Sequence, residues 1–118
     1  MALNYGNQSK SYLEKLVQYA LNNPKAIGYE KLTVGGTAVA LTVPAETIYC
    51  EITLESTNNT TVAVRYLLLG DKTLPTATDG KPLTNLVEFN ILDYQNISSF
   101  RAIQTAAGTH TLHIQYFK

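Results

Sequence analysis

A mainly β fold is predicted for this chain: a single antiparallel β-sandwich, or a partly closed barrel, of about seven strands behind one short N-terminal amphipathic helix. Three observations predict it. From Thr47 to Leu69 the side chains alternate apolar and polar twice in succession, the period of a half-buried strand. Clusters of Gly, Pro, Asn, Asp and Thr recur between such runs, as turns require. Only the segment before Pro24 carries a helical stripe.

That stripe begins at Ser11 and Glu14, spaced so that the hydroxyl caps a backbone amide and the carboxylate reaches back to the cap. Leu13, Leu16, Val17 and Ala20 fall on one face, with Tyr12, Tyr19 and Leu21 widening it. Asn22, Asn23 and Pro24 end the helix, because proline displaces its predecessor from helical geometry. From Gly28 the period changes. Leu32 and Val34 lead to Gly35-Gly36, read as a hairpin turn, and Val39, Leu41 and Val43 form a strand closed by Pro44.

In the next strand Ile48, Cys50, Ile52 and Leu54 face inward, and Thr47, Tyr49, Glu51, Thr53 and Glu55 face outward. Ser56 to Thr60 reverse the chain, and Val62, Val64, Tyr66 and Leu68 resume against Thr61, Ala63 and Arg65, so the two runs read as a hairpin. Gly70 to Leu83 suit a surface loop with Pro75, Pro82 and an Asp79-Gly80 step. Val87, Phe89 and Ile91 restore alternation, Asp93 to Ser98 connect, Phe100 to Thr105 form a strand, and Gly108 turns into a last strand from Thr109 to Phe117. Phe100 and Ile103 cannot both point inward at strict alternation, so a bulge or two-sided burial is expected near Arg101. The organisation expected is an arm and helix over residues 1–27 and a sandwich over 28–118.

Composition narrows the function. The 118 residues suit one domain. Nine basic residues balance nine acidic ones, so no positive stripe marks a nucleic-acid partner. No apolar run reaches the roughly 18 residues of a membrane span, and the N-terminus lacks a secretory signal pattern. Asn-x-Ser/Thr triplets at Asn7, Asn58, Asn59 and Asn96 read as turn chemistry. The single Cys50 lies on an apolar face and makes no internal disulfide.

Catalytic motifs are wanting. His110 and His113 fall on opposite faces of one strand and cannot share a metal from it. Glu51 and Glu55 stand about 13 Å apart along theirs, too far for a glycosidase pair. Asp71, Asp79 and Asp93 fit no calcium loop. No nucleophile elbow or phosphate-cradling loop is present. The expectation is a non-enzyme without cofactor or metal. Eight tyrosines and no tryptophan offer contact area at small entropic cost.

Several segments resemble a known group: Thr37 to Ala45, Ala63-Val64-Arg65-Tyr66, Pro75-Thr76-Ala77-Thr78-Asp79-Gly80-Lys81-Pro82-Leu83, Phe100-Arg101-Ala102-Ile103 and Thr109 to Phe117. Together they are similar to the small β-sandwich virion proteins of tailed bacteriophages, over Thr33 to Phe117 but not the helix. The resemblance implies a structural protein that decorates or cements a head or tail assembly, made in the host cytoplasm and carried in the virion. It implies other virion proteins and further copies of the chain as partners. Tyr12, Leu13, Leu16 and Tyr19 on the helix and Arg65 and Arg101 on strand faces are the candidate protein contacts, the arginines able to pair with carboxylates of the sheet or of a neighbour. The alternative is a carbohydrate- or receptor-binding module using Tyr49, Tyr66 and Tyr94.

Overall fold

A computed structural model describes Leu13, Glu14 and residues 25–118. Leu13 and Glu14 are helical; the rest of the predicted helix, with Tyr12, Leu16 and Tyr19, lies outside the described residues. Eight strands follow: β1 (Ala26–Thr33), β2 (Val39–Ala40), β3 (Tyr49–Ser56), β4 (Val64–Leu68), β5 (Lys81–Leu83), β6 (Glu88–Leu92), β7 (Phe100–Gln104) and β8 (His110–Phe117). A single turn and a half of helix, α1 (Tyr94–Ser99), joins β6 to β7.

The strands form two four-stranded antiparallel sheets, β1-β8-β3-β6 and β2-β7-β4-β5. The pairs β1–β8, β2–β7, β3–β6 and β4–β5 nest one inside the next, and β3–β8 and β4–β7 contacts close each sheet. This is the strand order of a jelly roll. No described strand belongs to both sheets, so the architecture is a sandwich and not a closed barrel.

Alternation decides which side chains meet between the sheets. Cys50, Ile52 and Leu54 of β3 and Leu112, Ile114 and Tyr116 of β8 line the first sheet, facing Val64, Leu83, Phe100 and Ala102 of the second. Tyr66 lies between Phe89 and Phe100 with ring centroids 4.9 and 5.4 Å away, an offset aromatic stack in the core.

Several expectations are corrected. Thr47 to Leu69 is not a hairpin: β3 bonds β8 and β6 while β4 bonds β7 and β5. Both edges of β3 are occupied, so the chain crosses to the other sheet. Asn58 holds that crossing by accepting from the Thr60 and Thr61 amides at 3.3 Å each. Gly35-Gly36 likewise carries the chain between sheets, since β1 pairs β8 and β2 pairs β7, and neither glycine has positive φ. The strand expected to run from Val39 to Pro44 pairs only over Val39–Ala40.

Lys81–Leu83, assigned to a loop, adds β5 as an edge strand to β4, where Pro82 needs no ladder donor. The Asp93 connection contains α1. No bulge occurs at Arg101: Phe100 and Ala102 are buried, and Ile103 faces outward in continuous register with Arg65. Thr47, read as outward, is fully buried, its hydroxyl donating to Pro44 O at 2.7 Å. Ala63 is buried too, ahead of the first residue of β4, with its amide on Leu83 O at 2.9 Å.

Burial also sets a pH limit. The Cys50 thiol, ordinarily titrating at 9.0, is pushed up to about 12 by desolvation. Tyr49 rises from 10.0 to about 12 through burial and its bond to Glu51, and Tyr116 is raised by burial and then by Glu30. In each case the folded state keeps a proton that the unfolded chain releases, so the contribution is present below about pH 9 and lost as pH rises toward 12. Thermal midpoints followed by circular dichroism from about pH 8 to about pH 11 are expected to fall steadily above about 9, less steeply in Cys50→Ala. A flat profile contradicts this.

Candidate functional site

The jelly roll has two outer faces and two ends. On the outer face of β1-β8-β3-β6 the outward residues of β8 meet those of β1 and β3: His113 lies opposite Lys31 and Thr53. His113 Nε2 is 2.9 Å from Glu55 Oε1, and Nδ1 is 2.6 Å from the Tyr29 hydroxyl. A carboxylate only accepts, so the ring donates from Nε2 to Glu55, while Nδ1 meets the Tyr29 hydroxyl. The chain of hydroxyl, imidazole and carboxylate ties three strands together, with the Glu55 side chain 68% exposed. Such a solvated pair holds the face weakly.

His110, on the opposite face of the same strand, is buried. Its Nε2 donates to Ala106 O at 2.7 Å, and its Nδ1 is 2.8 Å from Ser56 Oγ. Ser56 Oγ also accepts from the Asn58 amide, so this histidine anchors two turns. The opposite placement expected for the two histidines is what the strand shows. Among the described residues no group of three or more His, Cys, Asp or Glu is placed to hold a metal ion, and no helix is long and apolar enough to cross a membrane.

Arg65 and Arg101 share the outer face of β2-β7-β4-β5, opposite Ile103 and Leu67 respectively. Among the described residues neither forms an ion pair with a carboxylate of its own sheet. Arg65 donates to Gly80 O at 2.9 Å, and Arg101 to Ser98 O at 3.0 Å and Phe100 O at 2.7 Å. Arg65 therefore pins the loop before β5, and Arg101 the junction of α1 with β7. Arg65 Nε is buried without a hydrogen-bond partner among the described residues.

The three tyrosines of the carbohydrate alternative are not brought together. Tyr66 faces the core. Tyr49 lies on the first sheet's outer face against Phe117, at 5.2 Å between centroids, and donates to Glu51 at 3.0 Å. Tyr94 is open to solvent on α1.

Sequence reasoning missed the leucines of one end. Ala26, Tyr49, Leu92 and Phe117 form one cross-strand row, and Leu68 pairs with Phe100 at the corresponding end of the second sheet. Beyond these rows Leu69 is 44% exposed, Leu74 57% and Tyr94 41%. Chain residue 25 enters β1 at the same end, where the Lys118 amide bonds Lys25 O. The available signal was Leu74, an apolar residue among turn residues, with Leu69 ending the apolar run just before them. The predicted helix contact Leu13 is 55% exposed.

Compared with known proteins, the chain matches no family model, no curated protein and no solved structure.

Proposed function

We propose that this chain is a non-enzymatic structural component of a bacteriophage virion, decorating or cementing a head or tail assembly by protein contacts. The observation that carries the reading is the end bearing exposed Leu69, Leu74 and Tyr94, from which β1 leads back into the N-terminal segment. Large apolar side chains left in water on one end are what a docking surface offers. The resemblance of Thr33 to Phe117 to phage sandwich proteins supplies the class of partner: other virion proteins and further copies of the chain. The N-terminal helix is the second contact in this reading.

A carbohydrate-binding role has weaker support, because Tyr66 stacks inside the core and Tyr94 alone of the three is open to water.

The test is restoration of virions lacking the protein. Purified wild-type chain is expected to bind such particles saturably, and the triple variant Leu69→Ser, Leu74→Ser, Tyr94→Ser to bind at least tenfold more weakly. Each leucine that an interface fully buries is worth about 2 kcal/mol. All three residues are exposed, so the variant should keep the wild-type circular dichroism spectrum. Wild-type protein that ignores the particles, or a variant that binds equally, sinks the reading.

A further inference from the structure

At the open edge of β1 a cleft of about 310 Å³ is lined by Gly28, Tyr29, Glu30, Thr42, Pro44 and Tyr116. Gly28 leaves its wall open: a Cβ there would stand in contact with Pro44 Cγ at 3.4 Å and Tyr116 Cδ2 at 3.8 Å. The segment after β2 bends past this edge and forms the other wall with Thr42 and Pro44.

Glu30 is out of place by pattern. It lies opposite Ile114 and shares its parity on β1 with Gly28 and Leu32, so an acid occupies a position directed toward the core. One oxygen is held firmly. Glu30 Oε1 accepts the Tyr116 hydroxyl at 2.5 Å and the Thr42 amide at 2.9 Å, which fixes the carboxylate against the wall. Its Oε2 has no hydrogen-bond partner among the described residues, and the ion pairs found there, His113–Glu55 and Lys118–Glu46, leave Glu30 without a cation.

A carboxylate held in place, half withdrawn from water and lacking a counter-charge favours a cation that brings its own donors. Structural need is already met by the two bonds to Oε1, which latch β8 and the crossing segment to β1. The second oxygen is surplus to that latch. The cleft is at the small end of ligand sites, enough for a guanidinium or ammonium head on an alkyl stem but not for a large ring system.

We propose that this cleft is a binding site for an organic cation, the arginine or lysine side chain of a partner protein, with Glu30 as the charged recognition group. The stem lies along Pro44 in the space opened by Gly28, and the head meets Glu30 Oε2. Recognition of this kind does not depend on the virion reading, because a basic side chain can come from any partner.

The experiment is a two-dimensional amide NMR titration of the full chain, read at the Thr42 amide that bonds Glu30. The probes are n-butylguanidinium chloride and the blocked tripeptide acetyl-Ala-Arg-Ala-amide, with acetyl-Ala-Gln-Ala-amide as the neutral control. The tripeptide should shift the Thr42 resonance saturably in the millimolar range, and the control should not. Glu30→Gln keeps an acceptor for Tyr116 and Thr42 and should weaken binding at least tenfold. Gly28→Ala, which narrows the cleft beside Pro44 and Tyr116 without touching the carboxylate, should weaken it as well and serves if Glu30→Gln loses its dispersed spectrum. An absent or non-saturable shift, a shift shared by the glutamine peptide, or affinity unchanged in both variants overturns the site. Binding of n-butylguanidinium without the tripeptide overturns the assignment to a partner's side chain.

Discussion

Replacing Phe100 by alanine is expected to lower the unfolding free energy by about 4 kcal/mol, the middle of the range for a buried aromatic. Phe100 is fully buried, and its ring stacks on Tyr66 at 5.4 Å and Phe89 at 6.5 Å. The side chain opens β7 directly after α1, in register with Leu68. Truncation therefore leaves a cavity where the two sheets and the helix converge. The surrounding strands are held by ladder bonds and cannot collapse into it. Urea unfolding at neutral pH checks the figure, and a loss below about 2 kcal/mol would show that the aromatic cluster repacks. Tyr66→Phe, which keeps the stack, should change stability by less than about 1 kcal/mol.

The second large effect is expected at a turn. Gly108 has φ +128°, and a Cβ there would stand 2.6 Å from Thr57 Oγ1. That hydroxyl oxygen accepts the Thr109 amide at 3.0 Å, so it cannot retreat without breaking the bond that starts β8. Backbone strain of roughly 1–3 kcal/mol and a lost hydrogen bond of about 1 kcal/mol together predict a loss of about 3 kcal/mol for Gly108→Ala. Gly35 is the internal control. It has no positive φ and nothing within 4 Å of its built Cβ, so Gly35→Ala should be neutral or slightly stabilising. Equal effects at the two glycines would contradict the account.

Which parts of this fold were legible follows from what alternation encodes. A period of two reports which face of a strand is buried, and β3 and β8 were read correctly because one face of each is fully withdrawn from water. It does not report which strand lies alongside. The supposed partners β3 and β4 are equally apolar on one side, and only the nested pairing decides that they belong to different sheets. α1 has six residues, too few to display a stripe. β5 was hidden by Lys81 and Pro82, residues that suit an edge.

The contact residues divide in the same way. Tyr66 shares the parity of Val64 and Leu68, so its inward place was legible; its selection as a carbohydrate contact ignored that parity. The arginines were placed correctly on an outward face, yet their bonds go to carbonyls at Gly80, Ser98 and Phe100. Those carbonyls belong to the loop before β5 and to the junction of α1 with β7, whose paths no local pattern records. Glu30 drew no notice because its meaning depends on Thr42 and Tyr116, one beyond the second strand and one on the eighth.

The nested pairing dictates a folding schedule. The innermost ribbon, β4 with β5, closes a short loop, whereas β1 with β8 joins the first and last strands of the sandwich. Closing longer loops costs more entropy, and topologies dominated by distant contacts fold slowly. β8 is also an interior strand, lying between β1 and β3. On the ribosome the first sheet therefore waits for the last strand to emerge, and until then β1 and β3 expose unpaired edges to every neighbouring nascent chain.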